Sequence, residues 1–183
     1  MSVLCSQRLL PLLDIPITMT ITIRSAVPDD AATIVHFITE LAIFERAEHE
    51  MKATEEMIRS TLFGQTPHAY ALIAQQNDKP VGMAVYFFNY STWLGHRGLY
   101  VEDLFVTPQT RGLGAGKALM QTLAGIAVEQ GCPRFDWQVL DWNRKAIDFY
   151  DAIGAQPRKE WLSYRLEGTA LRQFALSGEA RHD

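Results

Sequence analysis

The sequence predicts an α/β protein, a sheet with helices packed on both of its faces. Three observations lead there. Two-residue apolar alternation, as in Thr20–Arg24, shares the chain with helix-spaced stripes such as Ile34, Ile38, Leu41 and Phe44. The two patterns interleave along the chain in the order βααβββαβαβ, with a second short strand at the end. At 183 residues, 48% hydrophobic and 21% charged, the composition suits one globular domain with a sizeable core.

The elements follow in order. Thr20–Arg24 reads as the first strand. Pro28-Asp29-Asp30 opens a helix, since proline suits a first turn and acids suit its positive end. A second helix covers about Thr54–Leu62, with Thr54 as N-cap and Met57 and Leu62 facing inward. Tyr70–Ala74 and Val81–Phe88 are β-rich runs around the turn cluster Asn77-Asp78-Lys79-Pro80, so they predict a hairpin. Leu99–Val106 is a further strand ending at Thr107-Pro108. A long amphipathic helix, about Ala115–Glu129, is stopped by Gly131. Phe135–Leu140 is a strand, and Asn143–Ile153 a helix with Gly154 just past its end. Short strands near Ala155–Pro157 and Trp161–Arg165 complete the expected domain, residues 19–176, before a tail at 177–183.

The leucine-rich start is interrupted by Pro11, Asp14 and Pro16, too short to span a membrane and without a small-residue cleavage site. Residues 1–18 therefore read as a flexible extension ahead of Met19. The formal charge of −4 gives no basic footprint for nucleic acid. Cys5 and Cys132 are far apart and in no metal-like spacing, which points to a reducing, cytoplasmic setting. Five histidines form no ligand pair, so no metal is expected.

The stretch that carries chemistry is Val101–Lys117, VEDLFVTPQTRGLGAGK. Its second half, Arg111-Gly112-Leu113-Gly114-Ala115-Gly116-Lys117, joins a strand directly to a helix. Glycine admits backbone conformations barred to other residues, and the first amides of a helix have no internal partner and favour an anion. A pyrophosphate is the natural guest. The spacing differs from G-x-x-x-x-G-K-[ST] and from G-x-G-x-x-G, which disfavours both a P-loop and a dinucleotide site.

This loop resembles the R-x-x-G-x-G/A signature of GNAT acetyltransferases. ITIRSAVPDDAATI and WNRKAIDFYDAIGA are similar to further blocks of that family, so the resemblance spans about Thr20–Arg165. Within the family, ELAIFE, YSTWLG, LYVEDLFV and WNRKAIDFY are similar to the spermidine/spermine (diamine) acetyltransferase group. The resemblance implies a mixed, mostly antiparallel sheet and acetyl-CoA as acetyl donor, bound by Arg111, Gly112, Leu113, Gly114, Ala115, Gly116 and Lys117. It also implies a backbone donor from Leu104, Phe105 or Val106 at the thioester carbonyl, and a homodimer.

Amine acetylation needs a route for the ammonium proton, since free amines have a pKa of about 10. Glu102 sits mid-strand, and strict alternation places it on the face of Leu104 and Val106, where partial burial would make it a better base. The resemblance assigns it amine binding and deprotonation through water. Asp103 faces the other way, as a structural acid or a peripheral charge contact to the substrate. Tyr150 reads from the residues alone as a packing tyrosine with a wet tip. The resemblance makes it the general acid that protonates the departing thiolate. Asn143 is a helix cap, a CoA contact, or both. Glu45 would neutralise a distal ammonium and Trp93 would contact an aliphatic or cationic chain. Phe44, also expected at the substrate, stands where the group often has tyrosine and has no hydroxyl to contact an amine, and Arg144-Lys145 follow Asn143 where Glu-Pro is common. The expected acceptor is a polyamine, diamine or lysine-like amino acid. The alternatives are a protein or antibiotic amine, or an acyl-CoA-binding module without catalysis.

Overall fold

A computed structural model describes residues 20–177. The expected extension at 1–18 lies outside the described residues, as does the expected tail after Ser177. The chain divides into two compact units, Met1–Gln138 and Val139–Asp183, and each is described by itself.

The first unit is a five-stranded sheet in the order β1-β2-β3-β4-β5, formed by β1 (Ile21–Ser25), β2 (Tyr70–Gln76), β3 (Lys79–Ser91), β4 (His96–Val106) and β5 (Phe135–Trp137). Neighbours are antiparallel except β4 and β5, which are parallel. The β2–β3 turn needs left-handed backbone at both centres, and Asn77 (φ 50) and Asp78 (φ 61) supply it. Helices α1 (Ala31–Glu45) and α2 (Glu55–Phe63) cover one face, where Ile34, Phe37 and Leu62 meet Ala71, Ile73, Met83, Val85 and Phe105. Helix α3 (Ala115–Glu129) contacts β1 through β4 and buries Ala115, Leu119, Met120, Leu123 and Ala127. The expected sheet with helices on both faces is thus the architecture found.

Helix ends are set by local chemistry. Pro28–Asp30 forms a 3-10 turn ahead of α1, and Asp30 accepts from the Val27 amide and from both ends of the Arg24 guanidinium (2.6 and 2.8 Å). Thr54 caps α2 by accepting from the Met57 amide at 3.2 Å, as expected. The inward stripe of α2 differs from expectation. Ile58 and Leu62 pack on the core, one turn apart, while Met57 is 54% exposed. Gly131 (φ 64) ends α3, with Cys132 N–H donating to the Ala127 carbonyl and Gly131 N–H to Val128. That pairing is a Schellman closure.

In the second unit, α4 (Arg144–Ala152) ends the same way at Gly154 (φ 87), whose successor Ala155 donates to the Tyr150 carbonyl at 3.1 Å. The short strands expected at 155–157 and 161–165 do not form; a strand needs a ladder partner, and the described sheet stops at β5. A helix that the sequence reading missed, α5 (Gly168–Leu176), follows instead. The strand expected over 135–140 likewise ends at Trp137.

Candidate active site

The strand carrying the acids is irregular at Glu102. Opposite residues of antiparallel strands share a face. On β4 the register runs Phe105 to Met83 and Asp103 to Val85, then jumps to Val101 opposite Tyr86. Glu102 has no cross-strand partner: it is the extra residue of a β-bulge. Asp103, two residues before Phe105 and opposite Val85, lies on their face, which is the α1/α2 face. Glu102 is exposed.

The electrostatics follow the geometry. Burial pushes the Asp103 carboxyl up to about 6, with Glu102 and then Glu45 adding repulsion. Partial burial also raises Glu45, the last residue of α1. The desolvated carboxylate expected at Glu102 is therefore found at Asp103: its alternation with Phe105 holds, but that face is the one covered by α1 and α2, while Glu102 is the extra residue of the bulge. Among the described residues no Lys, Arg or His lies within ion-pair distance of Glu45, Glu102 or Asp103. Three acids gathered without a cation suit a positively charged group, whose arrival would relieve their mutual repulsion.

Beyond β4, Thr107 N–H donates to the Val81 carbonyl, and the Thr107 and Thr110 hydroxyls meet at 2.7 Å, closing a 3-10 turn at Pro108–Thr110. The loop then needs left-handed backbone at Gly112 (φ 83) and Gly114 (φ 94), where a side chain would be strained. The amides of Gly112, Gly114, Ala115, Gly116 and Lys117 find no acceptor among the described residues, and α3 has no side-chain cap. Five free N–H groups at a helix start make an anion cradle. Arg111 beside it donates Nε–H to the Val106 carbonyl at 3.0 Å and lies over the Phe44 ring, 4.9 Å from its centroid.

Between the acids and the cradle, β4 is paired to β5 only through Leu99, Tyr100 and Val101. Leu104, Phe105 and Val106 run on without a β5 neighbour, so this stretch of β4 is an edge that a ligand can line. Phe105 is fixed there by its ring contact with Phe37, at 5.5 Å.

Not every expected residue gathers here. Trp93 stands 85% exposed at the β3–β4 turn. From His96 to Asp103 a strand runs seven residues, roughly 23 Å at the usual rise. The hairpin geometry thus separates Trp93 from the acids of its own chain. In the second unit, Asn143 caps α4 by accepting from the Ala146 amide at 3.3 Å. Tyr150 is half-buried against the Phe149 ring, and burial pushes its hydroxyl pKa up. Its proton is therefore held firmly at neutral pH. Among the described residues no group of three or more His, Cys, Asp or Glu side chains is arranged to hold a metal ion.

Residues 35–155 match the family model described as the acetyltransferase (GNAT) family. The chain is similar to a thialysine N-epsilon-acetyltransferase of Mus musculus, 42% identical over 84% of this chain and 96% of the relative. It is also similar to an L-ornithine N5-acetyltransferase of Arabidopsis thaliana, 32% identical over 82% of this chain and 86% of the relative. Among solved structures, an integron cassette protein from the mobile metagenome of V. cholerae superposes with a TM-score of 0.72 at 29% identity, covering 86% of this chain and 98% of that one.

Proposed function

Given that this chain belongs to the GNAT acetyltransferase family, we propose that it transfers the acetyl group of acetyl-CoA to a primary amine of a small diamine, polyamine or lysine-like amino acid. The observation that carries the acceptor assignment is the trio Glu45, Glu102 and Asp103, gathered without a cation beside an edge of β4. Relatives named for thialysine and ornithine acetylation support it.

In this reading the amides of Gly112, Gly114, Ala115, Gly116 and Lys117 hold the CoA pyrophosphate, with Arg111 beside them and Asn143 as a further contact. A backbone N–H of Leu104, Phe105 or Val106 polarises the thioester carbonyl, a donor aimed where negative charge develops. Asp103 and Glu102 hold the acceptor ammonium and take up its proton, Glu102 through water. The Asp103 carboxyl, near 6, is the better matched of the two to neutral pH. Glu45 takes a second positive charge of the substrate. The free amine nitrogen attacks the carbonyl carbon and the carbon–sulfur bond breaks; the thiolate takes a proton from the Tyr150 hydroxyl, and the proton that the nitrogen sheds on becoming an amide restores the tyrosine through solvent. The products are the N-acetyl amine and CoA.

Residues 19–176 act as one catalytic domain in this proposal, and two copies form a homodimer in a reducing, cytoplasmic setting. Exposed Trp161, Leu162 and Tyr164 support the dimer. Cys132 is a free thiol, which supports the setting. Among the described residues no helix is long and apolar enough to cross a membrane.

Release of CoA thiol over a panel of amines tests the reading. Turnover is expected on thialysine, ornithine and spermidine, with little on a lysine peptide or an aminoglycoside. Tight acetyl-CoA binding without turnover on any amine would leave a binding module and discard the enzyme.

A further inference from the structure

We propose that Phe44 is a positioning residue for the CoA donor, acting through Arg111, and not a contact to the acceptor amine. This rests on the reading that the glycine loop holds the CoA pyrophosphate. The stack is the observation: the Arg111 guanidinium lies 4.9 Å from the Phe44 ring centroid while its Nε–H is committed to the Val106 carbonyl at 3.0 Å. A planar fork held by one face and one edge presents its remaining N–H groups in a fixed direction. Among the described residues those groups have no carboxylate within ion-pair distance. Arg111 directly precedes the unbonded amides of Gly112 and Gly114 in the chain, so the natural target of these groups is a phosphate oxygen, which a guanidinium fork suits.

The ring is itself anchored. Phe44 lies seven residues after Phe37, two turns along α1 on nearly the same stripe and about 10 Å further on. Phe37 is fixed in the core against Phe105. The helix ends at Glu45, after which Arg46 takes left-handed backbone (φ 61) and Ala47 N–H closes onto the Ala42 carbonyl. Successive residues of a helix point about 100° apart, so Phe44 and Glu45 address different neighbours. Glu45 faces the acids, and Phe44 lies under the arginine of the loop. The missing hydroxyl at position 44 then costs the amine site nothing, because the π face is what acts.

Calorimetric titration of CoA into the full chain, with Michaelis constants for both substrates, tests this. Phe44→Leu is expected to weaken CoA binding by about two- to fivefold, the size of an exposed cation–π contact. The same change should have no further effect in an Arg111→Gln background. The amine KM should not follow the CoA constant, and Phe44→Tyr, which keeps the ring, should recover most of the loss. An equal loss in both backgrounds, or a rise in amine KM alone, overturns the proposal, and the ring-retaining variant decides it if Phe44→Leu fails to fold. A wild-type chain that does not bind CoA overturns the loop reading and this inference together.

Discussion

Asp103 is the residue where position and charge are most at odds. Its carboxyl is held near 6 by burial and by two neighbouring acids. A carboxyl whose folded pKa exceeds its unfolded value of about 3.9 costs the folded state stability once it ionises. The penalty is absent below the unfolded value, grows through the interval, and is complete above pH 6. Asp103→Asn is therefore expected to raise the thermal midpoint of the ligand-free chain at pH 8 and to leave it unchanged at pH 4. The same substitution should raise the amine KM at least tenfold at pH 8 while moving the acetyl-CoA KM little, since charge-assisted contacts contribute about 1.5–3 kcal/mol. In the unaltered enzyme, kcat/KM for the amine should fall as pH drops through 6. A midpoint that falls with Asp103→Asn at pH 8 would show that the charge is compensated by a group other than substrate. The sequence located both acids but could not say which is buried. Period-two counting puts Asp103 on the face of Phe105, where it is found, but it cannot tell that α1 and α2 cover that face or that Glu102 drops out of the ladder.

Strand β4 is the element on which both half-sites depend, and its position is set by β3. A Cβ on Gly82 would stand 2.6 Å from the Phe105 carbonyl oxygen and 3.3 Å from the Val106 Cα, both backbone atoms that cannot rotate away. Gly82→Ala must therefore push β4 outward at Phe105 and Val106. Overpacking of this kind typically costs about 1–3 kcal/mol. The expected outcome is a lower midpoint in denaturant and a kcat that falls more than either KM, since in the proposed mechanism the displaced strand carries the donor aimed at the thioester oxygen. An unchanged kcat in a folded variant would place that donor elsewhere. Elements of this sheet were readable because local pattern and packing agree: hairpin chemistry at Asn77-Asp78, a capping threonine at 54, and glycines at 131 and 154 where helices must stop. The stretch after Gly154 was misread for a physical reason. Apolar and β-branched content can announce a strand, but the ladder partner is supplied by the rest of the fold, and among the described residues none pairs with residues 155–165. Helix α5 carries Leu171 and Phe174 at helical spacing within GTALRQFAL, a signal too short to stand out beside the tail.

At the scale of the molecule, the unresolved balance is between apolar surface and solvent. Trp161 is 62% exposed, Leu162 77%, Tyr164 91% and Phe174 71%, all within one short segment of the second unit. Scattered exposed apolar residues are ordinary; four large ones concentrated in fourteen positions are what the proposed dimer would cover. Homo-oligomers with two-fold symmetry are the commonest such solution, because one patch then satisfies both copies. The proposed dimer makes a direct prediction. Light scattering on the eluting protein should give a mass twice the chain's 20.7 kDa, and the mass should hold in raised salt, since the covered surface is apolar rather than ionic. Trp161→Glu together with Phe174→Glu should shift the species toward the single-chain mass without unfolding the first unit, whose core includes neither residue. A wild-type chain that runs as a monomer at micromolar concentration would remove the dimer, leaving the exposed aromatics to a different protein.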